Sequence, residues 1–113
     1  MLDSEQLQAV LQSIGLCAKA GKLAYGVPMI CELLKKGKRI HLVLSAHDNA
    51  QNSAKRLSDR CSFYGVRQEV LKIDGEVLAS AVGKGSRLAA VAVTDEQLSH
   101  LVLSKLKQSG NTI

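Results

Sequence analysis

Apolar positions fall in two rhythms along this chain, one with the period of a helix and one nearly continuous. Leu7, Val10, Leu11, Ile14 and Ala18 recur at three- and four-residue intervals, the spacing that lines one face of an α-helix. They predict a first helix over residues 3 to about 20. Asp3 is its candidate N-cap, Gln6 stands where a capping box places a glutamine, and Gly21 is a natural stop. Lys22-Leu23-Ala24-Tyr25 reads as a short extended segment, broken by Gly26. Pro28 suits the first turn of a second helix, where its missing N–H costs nothing. Ile30, Leu33 and Leu34 form that helix's apolar stripe, and Gly37 ends it.

Ile40 to Ala46 is almost wholly apolar, as in a strand covered on both faces. Asp48 or Asn49 is expected to cap a third helix with Ala54, Leu57, Ser58 and Cys61 on its inner face, stopped by Gly65. A more polar strand follows over Val66–Ile73, then an Asp74-Gly75 turn. Val77, Leu78, Ala81 and Val82 predict a short helix ending at Gly83. Leu88–Val93 is another apolar strand, and Thr94 with Gln97 is set to cap a last helix by the same box motif. Strands alternating with helices imply a sheet covered on both sides. The fold class is therefore α/β, a three-layer α/β/α sandwich. It forms a single domain over 1–108 with a frayed tail over 109–113.

Composition narrows the function. The 113 residues are 46% apolar, enough for one domain with a core of its own. No apolar run reaches the roughly 18 residues that span a bilayer, and the start Met1-Leu2-Asp3-Ser4-Glu5 lacks a basic leader. A cytoplasmic protein with no membrane partner is expected. Cys17, Cys31 and Cys61 are odd in number and widely spaced. They read as buried free thiols, not as a disulfide framework or a zinc site.

Charge is unevenly distributed. Lys19, Lys22, Lys35, Lys36, Lys38 and Arg39 face a single acid, Glu32, within 21 residues, whereas the rest of the chain is balanced. Such an excess is the electrostatic footprint of a polyanion partner. It also suits a solvated, lysine-rich helix end, and composition leaves both readings open.

Catalytic chemistry finds little support. His41, His47 and His100 are scattered, and His47-Asp48 at a strand end is the best of them. No nucleophile accompanies it and no carboxylate dyad exists. Gly83-Lys84-Gly85-Ser86 has the wrong length and order for a phosphate loop, since it follows a helix and precedes a strand. It reads as a helix stop and tight turn. No enzyme, cofactor or metal is expected. Gly21-Lys22-Leu23-Ala24-Tyr25-Gly26 is more informative. A short strand ends in glycine at a helix start, where free N–H groups and the dipole favour an anion.

Several stretches carry a resemblance. They are Ile14-Gly15-Leu16, Ala20-Gly21-Lys22-Leu23 with Gly26, Leu42 to Ser45 with Asp48, Cys61-Ser62-Phe63-Tyr64-Gly65-Val66, Leu78 to Lys84, and Ala92-Val93-Thr94-Asp95. In this order and spacing the chain resembles the ribosomal L7Ae and L30e group of RNA-binding proteins, and within it the short bacterial YlxQ-like members. The resemblance implies a four-stranded mixed sheet, L30e-like, and binding of structured RNA, kink-turn or ribosomal, by a monomer within a ribonucleoprotein. It places the segment Gly21 to Glu32 in the widened groove of a kink-turn and an apolar loop, roughly Leu71 to Gly75, over a protruding base. The RNA-contacting residues it suggests are Lys19, Lys22, Gly26, Val27, Pro28, Met29, Lys35, Lys36, Arg39, Lys72 and Ile73. Pro28, Met29 and Glu32 stand where strong kink-turn binders carry an Asn-Glu pair and a lysine. That departure points to a phosphate-dominated, salt-dependent mode, or alternatively to a protein-interaction adaptor with Val27, Pro28 and Met29 as its apolar patch.

Overall fold

A computed structural model describes residues 4–108. The chain runs α1 (Ser4–Lys19), β1 (Leu23–Tyr25), α2 (Val27–Lys35), β2 (Leu42–Ala46), α3 (Gln51–Tyr64), β3 (Gln68–Leu71), α4 (Gly75–Ala81), β4 (Ala90–Val93) and α5 (Glu96–Gln108). The element order matches the alternation predicted from sequence. The four strands form one mixed sheet in the order β1-β4-β2-β3. β2 and β3 are parallel, while β4 runs antiparallel to both β1 and β2.

The register gives the sheet two distinct ends. Tyr25 pairs with Val91, Ser45 with Ala90, and Ala46 with Leu71, so these residues mark an upper end. Leu23, Leu42, Gln68 and Val93 mark the lower end.

β2 and β4 are the central strands, and every residue in them is buried. Their alternate side chains feed two cores. Leu42, Leu44, Ala46, Val91 and Val93 pack with Val10, Ile14 and Cys17 of α1, Leu78 of α4 and Val102 of α5. Val43, Ala90 and Ala92 pack with Ile30, Cys31 and Leu34 of α2 and with Leu57 and Cys61 of α3. α2 and α3 thus cover one face, and α1, α4 and α5 the other. Burial on both faces is why these strands are apolar without alternation.

Several local expectations shift. β2 starts at Leu42, two residues later than its apolar run; β3 spans Gln68–Leu71 and β4 starts at Ala90, each shorter than predicted. On α3 only Leu57 and Cys61 are buried, whereas Ala54 and Ser58 face solvent. Neither Asp48 nor Asn49 caps α3; its N-cap is Ala50, which offers no side-chain bond. Asp74-Gly75 is a helix start, not a free turn, because Asp74 Oδ1 accepts from the Val77 N–H at 3.0 Å. α4 buries Leu78 and Ala79 and leaves Val77 exposed. Asp95, not Thr94, caps α5: its Oδ2 accepts from the Leu98 N–H at 2.8 Å. The Thr94 N–H is occupied across the sheet by the Lys22 carbonyl at 2.9 Å. The expected Asp3 cap and the tail over 109–113 lie outside the described residues. Gly65 ends α3 as foreseen, at φ 68°, with the Val66 N–H reaching back to the Cys61 carbonyl at 2.9 Å. An L-residue side chain would be strained at that angle.

Candidate nucleic-acid interface

The upper end of the sheet gathers four chain segments. β1 arrives there at Tyr25 and turns into α2 through Gly26. Gly26 adopts φ 89° and ψ 150°, and a Cβ on it would meet nothing closer than Pro28 Cδ at 3.9 Å. The backbone angle therefore requires glycine here, and the space around it stays open. Its N–H donates to the Ala90 carbonyl at 2.9 Å, and its carbonyl accepts from Ile30 at 3.0 Å. No side chain caps α2. The Val27 and Met29 N–H groups precede the first intrahelical donor, and Pro28 has none to give. Pro28 and Met29 are exposed, Met29 to 51%.

Next to this corner lies the segment that leads into β4, residues 83–89. Lys84 Nζ sits 4.4 Å from the centroid of the Tyr25 ring, a cation–π contact. Gly85 and Ser86 are exposed beyond it. The segment is fastened at its other end. Arg87 donates to Asp48 Oδ1 at 2.7 Å, to the Asp48 carbonyl at 2.9 Å and to Asn49 Oδ1 at 3.2 Å. Asn49 donates to the Ala89 carbonyl at 3.0 Å, Gly75 N–H to Asp48 Oδ1 at 3.0 Å, and Leu88 N–H to the Gly75 carbonyl at 3.0 Å. This polar knot ties the ends of β2 and β3 to the segment before β4.

Burial by itself would raise the Asp48 carboxyl. The Gly75 N–H and the Arg87 guanidinium more than offset it and hold the group below the ordinary carboxylate range. A carboxylate with a depressed folded pKa adds stability above its unfolded pKa, about 3.9, and loses it as pH falls through the folded value. The melting-temperature gap between wild type and Asp48→Asn is therefore expected to stay constant from about pH 7 to 5 and to close below about pH 4. A thermal-denaturation series across that range checks it; a gap that widens in acid contradicts this role.

The residues suggested by the sequence do not gather at one point. Gly26, Pro28 and Met29 form the upper corner. Val27 is 4% exposed and Ile73 5%. Both are core residues, because the first turn of α2 and the segment just after β3 each point an apolar side chain inward, so neither offers its side chain to a ligand. Lys72 is exposed but follows β3, at the opposite edge of the sheet from β1. Three strand spacings, about 14 Å, separate the two edges. The segment beside Gly26 is thus 83–89 and not 71–75.

The basic cluster also divides. Lys35, Lys36, Lys38 and Arg39 lie at or just beyond the lower end of α2, a helix length of about 13 Å from Gly26. Lys22 precedes β1 at the lower end, and Lys19 ends α1 on the other face. Lys36 Nζ is 3.5 Å from Glu32 Oε2 with both side chains more than half exposed, an arrangement that adds little stability. Sequence reasoning missed Lys84, Arg87 and the knot at Asp48. The signal for Lys84 was its glycine-flanked position, read only as a turn.

The three cysteines are buried and free. Burial, then the neighbouring Cys31, pushes the Cys61 thiol up to about 11. Burial, then the Asp95 charge, raises Cys17. Among the described residues no group of three His, Cys, Asp or Glu side chains is placed to hold a metal ion, and no helix is long and apolar enough to cross a membrane.

A mixed four-stranded sheet between two helical layers, with a glycine-led helix start beside a basic segment at one sheet end, defines an L7Ae-type α/β domain. The family model of the ribosomal protein L7Ae/L30e/S12e/Gadd45 family matches residues 8–103, and the chain belongs to that family. It is 32% identical over 94 residues to the RNA-binding protein YlxQ of Bacillus subtilis, covering 82% of this chain and 90% of that one. A protein of unknown function from Bacillus halodurans superposes with a TM-score of 0.78 at 26% identity, over 87% of this chain and 96% of that one. The Giardia lamblia 15.5kD RNA binding protein superposes with a TM-score of 0.75 at 16% identity, over 100% of this chain and 94% of that one, and shares the fold.

Proposed function

We propose that this chain is a non-catalytic RNA-binding protein that holds structured RNA, kink-turn-like or ribosomal, at the upper corner of its sheet. It acts as a cytoplasmic monomer within a ribonucleoprotein. The observation that carries the reading is the pairing of the open Gly26 helix start with Lys84 across the β1–β4 ladder, in a family with an RNA-binding bacterial relative. Gly26 lets a phosphate approach the uncapped N–H groups of Val27 and Met29. Lys84 supplies a second phosphate contact. The exposed Pro28 and Met29 side chains pack on a splayed base, as RNA of this kind is read by shape and unstacked bases. Lys22, Lys35, Lys36 and Arg39, with Lys19 and Lys72 further off, add attractive field. Val27 and Ile73 support the surface from inside.

Without Asn, Glu or Lys on the first turns of α2 beyond Glu32, phosphates dominate. Affinity for a kink-turn RNA is then expected to fall about a hundredfold between roughly 50 and 200 mM salt, the slope of about four phosphate contacts. Gel-shift titrations with a kink-turn and a scrambled duplex measure it. Failure to bind either RNA at low salt would overturn RNA binding and favour a protein adaptor whose contact is the Pro28–Met29 tip.

A further inference from the structure

We infer that the outward face of α3, together with the lower end of α2, is a second RNA contact surface, where an unpaired base stacks on Phe63 while Arg56 and Arg60 hold the flanking phosphates. The inference rests on RNA being the partner and extends the contact beyond the Gly26 corner.

Phe63 is the only phenylalanine in the sequence, and it is 79% exposed near the end of α3. Its ring meets Tyr64 edge-on, with centroids 4.9 Å apart, which holds one ring against the other and leaves the Phe63 ring largely in solvent. Lys55, Arg56, Asp59, Arg60 and Phe63 line one shallow hollow on the helix surface. Their intervals of three and four residues put them on one face. Lys55 and Asp59 neutralise each other at 3.0 Å. Arg56 and Arg60 have no carboxylate within ion-pair distance among the described residues, so two guanidinium groups stand free beside an exposed ring.

The sheet topology extends this patch. α2 and α3 lie side by side on the same face, and both run from the upper to the lower end of the sheet. The lower end of α2 carries Lys35, Lys38 and Arg39. Four cations of the local charge excess, Lys35, Lys36, Lys38 and Arg39, thus lie on the same helical layer as the arginines of α3, away from the Gly26 corner. An aromatic ring among unpaired arginines suits a single strand, whose bases stack without sequence demand and whose backbone follows the cations. An acidic peptide would satisfy the guanidinium groups but leave the ring unused. A lipid surface would need several apolar side chains on this face, and Phe63 is the only one in the hollow. α3 is about 21 Å long, so a strand leaving the upper corner can run down it.

The test compares a kink-turn hairpin with a blunt end and the same hairpin with roughly ten unpaired nucleotides, within the site size of single-strand grooves. Fluorescence anisotropy reads both affinities. The tail is expected to strengthen binding by the wild type about tenfold. Phe63→Ala, and separately the double variant Arg56→Ala with Arg60→Ala, are expected to erase that gain and leave the blunt hairpin's affinity unchanged. Phe63→Trp is expected to keep it. These side chains are exposed, so the melting temperature should not move. Binding of the blunt hairpin with no gain from the tail, or a gain that survives both sets of substitutions, refutes the second surface and leaves the corner intact. Binding of neither RNA by the wild type would remove the functional reading as well.

Discussion

Gly75→Ala is expected to lower stability by about 1–3 kcal/mol, the usual cost of forcing a methyl group into a filled site. A Cβ at residue 75 would stand 2.5 Å from Arg87 Cγ, 2.9 Å from Arg87 Cζ and 2.7 Å from the Leu88 carbonyl oxygen. The arginine could swing aside, but it would then leave Asp48, whose carboxylate would lose its guanidinium partner. The Leu88 carbonyl belongs to the backbone leading into β4 and can move only with that segment. At roughly 4–8 °C per kcal/mol for a domain of this size, the melting temperature falls by roughly 5–20 °C. Gly85→Ala is the matched control. Nothing lies within 4 Å of its would-be Cβ, and the change should stay within about 0.5 kcal/mol. Equal melting curves for the two variants would show that the knot does not hold the segment.

Lys84→Glu is expected to weaken binding of structured RNA by about 10- to 100-fold near 50 mM salt, the loss of one charge-assisted phosphate contact plus repulsion. The deficit should shrink toward 200 mM, where the Debye length is shorter. Its stability cost is small, because an exposed cation–π contact such as the one to Tyr25 is worth about 0.5–1 kcal/mol. Lys72→Glu gives the contrast. It makes the same charge change at the other sheet edge, about 14 Å away, and should cost several-fold less. The pair therefore decides which segment lies on the RNA. A larger loss from Lys72→Glu would place the RNA on the 71–75 side and refute the corner.

The architecture was legible in the sequence where burial leaves a simple pattern. The two mainly apolar runs became the two central strands, since each faces a helical layer on both sides. α1 and α2 followed from their apolar stripes, and Gly65 from its place behind one. Caps were less legible. Asp48 has the right residue type and spacing to start α3, yet it is drawn to Arg87, 39 residues later, an attraction that local spacing cannot reveal. Thr94 and Asp95 are adjacent and both can cap; Thr94 is held in the sheet ladder by Lys22, and the Asp95 carboxylate takes the Leu98 N–H.

The site was half legible for a related reason. Gly26 marked the corner by itself. The company it keeps depends on strand order, and only β4 lying next to β1 brings Lys84 to Tyr25. Charge density along the chain located the lysines but not the end of the helix on which they sit. Nine residues of α2 carry Lys35, Lys36, Lys38 and Arg39 to the far end from the glycine, on the layer they share with α3.

The sealed thiols have a practical corollary. Cys17, Cys31 and Cys61 sit inside two separate cores, and burial there makes the thiols at 17 and 61 resist ionisation while the fold is closed. An alkylating reagent must wait for the domain to open before it can react. The molecule thus carries a built-in clock for its own breathing, with Cys17 timing exposure of one layer and the other two timing the layer that bears α2 and α3.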